Sequence, residues 1–285
     1  MKLPFPSLAL NVLAASAALT VASSLHAAPV TQAINDQAWD VASTWSNNAL
    51  PTPGNDYSTV IANPILRSTF NGTTDFAGNS LTIVASTELI TKGNNNADFV
   101  VPNLILNGGQ VRMADGNRTH ILSGGLNVAA NSALVNPGGR TFQIDSILSG
   151  SVNLTLTGNN ATDAVIVLNG AGSTFSGSFL GTNQAIVDFN QSYNSASLNL
   201  LTTANQAQLR LDTNLTFQSV TFGATTLSPG VYTGATLKST FASFVTADSL
   251  NGSTLTVVPE PSTIVLLIGA GLVGLVFLRR RVARA

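Results

Sequence analysis

Apolar and polar residues follow two different patterns along this chain. From Tyr57 to Leu255, short apolar runs alternate with Thr, Asn or Ser and stop at clusters of Gly, Asn, Asp and Ser. Leu81-Thr82-Ile83-Val84, Asn103-Leu104-Ile105-Leu106, Gln110-Val111-Arg112-Met113 and Ser151 to Leu156 are of this kind, as are Ala164 to Leu168 and Leu215 to Val220. A period of two with one apolar face is the mark of a half-buried β-strand. Gly-Gly pairs at 108–109, 124–125 and 138–139 predict tight corners with positive φ. No part of this region carries a sustained helical stripe with caps, so the pattern predicts an all-β body.

The two ends read differently. Lys2, an apolar stretch from Leu8 to Leu25 and an Ala-rich close at Ala27 predict a secretory signal peptide over residues 1–27. This implies passage through the Sec translocon and removal by signal peptidase. Thr263 to Leu278 is an uncharged apolar run followed at once by Arg279, Arg280 and Arg281. At about 1.5 Å per residue such a helix covers about 24 Å, close to the bilayer core once the arginine stems snorkel. The arginines predict a cytoplasmic C-terminus, and Pro259 and Pro261 predict an extended entrance to the helix. The expected domains are the signal peptide (1–27), a cap segment with two tryptophans (28–60), a β passenger (61–257) and a tail (258–285).

That tail resembles the PEP-CTERM sorting signal of Gram-negative bacteria. Val258-Pro259-Glu260-Pro261-Ser262-Thr263, one apolar helix and a terminal Arg cluster occur in the family's order. The resemblance implies that Pro259, Glu260 and Pro261 are the recognition element of an exosortase, a membrane-embedded cysteine transpeptidase-like enzyme. It implies an inner-membrane intermediate with a periplasmic passenger, then the cell surface or the exterior. Gly269, Gly271 and Gly274 spell a dinucleotide-binding pattern inside this helix. That motif requires an acidic residue about 20 positions later, and none follows, so the glycines read as helix-packing positions.

Between the tails lie seven basic and twelve acidic residues, so the passenger carries about −5, which argues against nucleic acid as a partner. With no cysteine, disulfides and thiolate chemistry are excluded. The 28 asparagines suit the stacked corners of a solenoid. Leu168 to Gly177 followed by Ala185 to Phe189 resembles an autotransporter-passenger repeat, and the expected fold is a right-handed parallel β-helix. No strict 20–25-residue period is visible, and a β-sandwich is the alternative.

Trp39 and Trp45 read as a cap over an open solenoid end, with a sugar-stacking platform as the rival reading. Val220 to Thr233 resembles the closing hairpin found before many PEP-CTERM tails, with Ala235 to Phe241 as an amphipathic lid. The candidate chemistry is an aspartate series, Asp145, Asp163, Asp188 and Asp212, at spacings near one rung. Paired carboxylates would serve glycoside hydrolysis or bind calcium. The bland alternative is that each solvates a strand end. His120 lacks the company needed for a metal site or a triad. The expectation is a non-enzymatic exported protein without cofactor or metal, associated with exopolysaccharide and biofilm. A polysaccharide lyase or hydrolase and an adhesin are the alternatives.

Overall fold

A computed structural model describes residues 28–70, 74–93, 96–114, 118–158, 164–202, 205–247, 249 and 252–259. The segments assigned above to the signal peptide and the membrane helix lie outside these residues. Among the described residues, no helix is long and apolar enough to cross a membrane.

Successive strands alternate between two sheets, and within each sheet a strand pairs with the one a full turn earlier. The 11-stranded sheet runs through Val30–Thr31, Asp56–Ser58, Ser80–Val84, Ala97–Asn107, His120–Ala130, Thr141–Ile144, Ala164–Leu168, Ala185–Phe189 and Gln208–Arg210 in spatial order, with Thr74–Asp75 and Ile147–Gly150 paired beside this path. The 12-stranded sheet interleaves Ile65–Arg67, Glu88–Thr91, Gln110–Met113, Ser132–Val135, Leu154–Thr157, Ser178–Thr182, Tyr193–Leu200 and Leu215–Phe222. All these pairings are parallel. A sandwich built from hairpins would pair its sequential neighbours antiparallel, so the fold is a parallel β-solenoid.

The period-two pattern becomes stacks of like residues inside the coil. Tyr57, Leu81, Leu104, Leu126 and Leu148 stand in register on one wall. Leu66, Leu89, Val111, Leu134 and Leu156 do so on the other. All ten are essentially buried. Each such side chain contributes about 1.5–3 kcal/mol by leaving water. The stack then meets Gly181, where an added Cβ would come within 2.5 Å of Leu200 Cδ2, so the neighbouring leucine fills the vacant place.

Corners are tied from turn to turn by polar side chains. Asn79 Nδ2 donates to Asp56 Oδ1 (2.8 Å), Asn169 Nδ2 to Asp145 Oδ1 (3.0 Å) and Asn190 Nδ2 to Asn169 Oδ1 (3.3 Å). These three pairs stand 23, 24 and 21 residues apart, close to one turn of the coil. Bulges and unequal corners vary this spacing from turn to turn, and this variation hides a strict period from the sequence. Gly108 (φ 87°) adopts the left-handed backbone its corner needs, whereas Gly124 (φ 98°) lies not at a corner but inside the strand His120–Ala130, at a register shift. The pair at 138–139 is not among the positive-φ glycines; Gly138 N–H instead donates to Asn136 Oδ1.

Both ends of the coil are closed. At the first turn Trp39 and Trp45 are about 1% exposed, so neither ring is available as a sugar platform. Trp45 packs edge-on against Tyr57 at 4.7 Å, Trp39 lies 5.5 Å from Phe76, and Trp45 Nε1 donates to the Trp39 carbonyl (2.8 Å). The outermost strands, Val30–Thr31 and Gln37–Ala38, are two residues each, which leaves little free edge. At the last turn the helix Gly234–Thr240 is capped by Thr233, whose hydroxyl accepts from Thr236 N–H (3.2 Å). It buries Leu237, while Phe241 and Phe244 cover Phe222. Lys238 Nζ holds the following loop by donating to the Ala242 and Val245 carbonyls.

Candidate functional site

The final strand, Thr254–Val257, does not lie at the sheet's rim. It runs parallel to Leu215–Phe222 on one side and antiparallel to Gly230–Thr233 on the other. Its alternation buries Leu255 and Val257 while Thr254 and Thr256 face outward. Val258 N–H still donates to the Phe217 carbonyl (3.0 Å), and Pro259 is exposed immediately afterwards. The chain thus passes from an inner position of the sheet into the Pro-Glu-Pro segment with no intervening linker. Glu260, Pro261 and Arg279, Arg280 and Arg281 lie outside the described residues.

The aspartate series does not form one column. Asp145 shares a corner column with Asn169 and Asn190, and also accepts from Gln143 Nε2 at 2.8 and 3.0 Å. Asp188 stands two positions earlier in its own turn, in register with Val167 and Arg210. Asp163 lies outside the described residues. Asp188 and Asp212 are close enough to influence each other: burial, then the Asp212 charge, push the Asp188 carboxyl up to about 6, with Arg210 opposing. Asp188 is 7% exposed, and its Oδ1 has no hydrogen-bond partner. A spacing of 24 residues brings Asp212 near Asp188, whereas bulges and corners leave Asp188 two positions away from the Asp145 column.

His120 is buried inside the coil, with Nδ1 2.9 Å from Thr91 Oγ1 and its ring edge-on to Phe99 at 5.4 Å. Burial pushes its imidazole below the ordinary value, against hydrogen bonding to the Gly93 and Thr91 backbone. Among the described residues, no group of three or more His, Cys, Asp or Glu side chains is placed to hold a metal ion. On the outside of the second sheet, Arg112 grips Glu88 with two hydrogen bonds (3.0 and 3.1 Å), and Gln110 adds a third. Burial pushes the Glu88 carboxyl up, but the bonds from Arg112 and Gln110 outweigh it and hold the group below its ordinary value.

No curated protein and no solved structure matches the chain. Residues 257–281 match the PEP-CTERM protein-sorting motif, beginning at the buried last residue of the final strand. That motif implies processing by an exosortase and a destination at the cell surface. The chain is therefore a β-solenoid cargo that carries a PEP-CTERM sorting signal for export.

Proposed function

We propose that this protein is a non-enzymatic surface or extracellular-matrix component that works in contact with exopolysaccharide. In this reading residues 1–27 direct the chain to the Sec translocon and are removed by signal peptidase. Thr263 to Leu278 then holds it in the inner membrane, with Arg279, Arg280 and Arg281 inside, until an exosortase acts at Pro259-Glu260-Pro261. The observation that carries the reading is the direct passage of the closing strand into the sorting motif, which couples a complete stiff coil to its export signal. Outward-facing Thr155, Thr157, Asn199 and Thr221 supply hydroxyl and amide groups for weak, repeated carbohydrate contacts.

Intact mass of the protein recovered from the extracellular fraction tests the route. The expected species lacks residues 1–27 and ends near Pro259; a full-length mass, or recovery only from cytosol, would overturn it. Co-sedimentation with the host's exopolysaccharide tests the association. A second reading, a polysaccharide-active enzyme, is favoured by one observation: Asp188, held up to about 6 beside Asp212, has the raised pKa of a general acid. Loss of exopolysaccharide cleavage in an Asp188→Asn, Asp212→Asn double variant would favour that reading.

A further inference from the structure

The wall of the first sheet bends. In the strand Ala97–Asn107 two consecutive residues, Pro102 and Asn103, face outward, breaking the alternation on either side. The register with His120–Ala130 slips at the same level, between Gly124 and Gly125. Gly124 could not carry a side chain, since an added Cβ would lie 2.1 Å from the Val101 carbonyl oxygen. The bend opens a trough of about 930 Å³ that crosses several turns, from Asp56 and Asn79 through Asn103 and Gly125 to Asp145 and Ile147.

Its chemistry is specific. The floor at Gly124 and Gly125 is bare backbone. Asn103 Oδ1 would stand 3.6 Å from a Cβ placed on Gly125, so an acceptor overhangs the floor. Asn103 is itself fixed by donating from Nδ2 to the Asn79 carbonyl (2.9 Å). A carboxylate stands at each end, Asp56 and Asp145, and among the described residues no cationic side chain lines the trough. Apolar contact comes from Pro102 and from Ile147, which is 54% exposed although it lies in a strand. With turns about 4.8 Å apart, the trough runs for about 19 Å.

A ligand for this trough needs hydroxyl donors, an apolar C–H face, an extended shape and no negative charge, because the two carboxylates repel an anion. We propose that the trough is a binding site for an extended, uncharged polysaccharide chain. The proposal rests on the exopolysaccharide reading above and gives it a place and a charge class.

Isothermal titration calorimetry of the full chain in mild detergent tests it, with cellohexaose and maltohexaose as neutral probes and a galacturonate hexamer as the anionic one. The expected result is binding of at least one neutral probe, with the uronate at least tenfold weaker. Ile147→Asp, a change at an exposed position, and Gly125→Leu, which fills the floor, should each weaken the neutral probe at least tenfold. Unchanged thermal unfolding of Ile147→Asp keeps that comparison independent of folding. Equal binding of the uronate, unaltered binding by Ile147→Asp, or no binding of either neutral probe would overturn the proposal. If the wild type still co-sediments with the host's exopolysaccharide in those cases, the trough alone is wrong; if it does not, the broader reading falls too.

Discussion

Asp188 faces Arg210 across neighbouring parallel strands, yet Asp188 Oδ1 is buried without a hydrogen-bond partner. A carboxylate in that position is under-compensated: burial and the nearby Asp212 charge favour its protonated form more than Arg210 favours the ionised one.

The folded pKa of Asp188, about 6, lies above its ordinary value, so its contribution to stability is complete below about pH 4 and is lost as pH rises through 6. The whole shift corresponds to about 3 kcal/mol, which screening at the outer face reduces to about 1–2 kcal/mol. Asp188→Asn should therefore be more stable than wild type at pH 8 by about 1–2 kcal/mol, and the gain should vanish at pH 4. Urea unfolding at the two pH values measures it; an equal effect at both would refute the assignment.

His120 gives the opposite trend. Its folded pKa lies below the ordinary value of 6.5, so stability is level above that pH and declines as pH falls through it. The slope is at most about 1.4 kcal/mol per pH unit for one proton. A His120→Asn variant should lose this slope between pH 7 and 5, whatever its absolute stability.

Leu134 stands between Val111 and Leu156 in the inner stack and is fully buried. Leu134→Ala should cost about 2–5 kcal/mol, because the flanking turns are held by backbone ladders and cannot close the cavity. A loss below about 1 kcal/mol by urea denaturation would show that the coil relaxes more freely than its ladders imply.

Gly124→Ala combines a left-handed φ with a close approach to the Val101 carbonyl. The expected loss is about 1–3 kcal/mol from the backbone alone. Gly54, with open space where a Cβ would go and no positive φ, is the control, and Gly54→Ala should be close to neutral.

Much of this was legible in the chain because a solenoid wall reports its own periodicity. The strands at 80–84 and 110–113 are plain in the alternation and that at 164–168 in its unbroken apolar run, and the asparagines do ladder at corners, as Asn169 and Asn190 show. The lid anticipated at Ala235 to Phe241 is the helix Gly234–Thr240. Alignment between turns was not legible. Asp145 and Asp188 look one or two turns apart on paper, but a two-residue offset separates their columns. The trough was equally hidden: Gly124-Gly125 reads as a corner, and nothing local says that Pro102 meets it from the previous turn to fold the wall inward.

The bond between Val258 N–H and the Phe217 carbonyl leaves the cargo without a tether of its own. Whatever engages residues 257–259 therefore meets the hydrogen-bonded end of a strand and not a free chain. A short Gly-Ser insertion after Val258 would move the motif away from that strand while leaving the contacts of the coil up to Val258 intact.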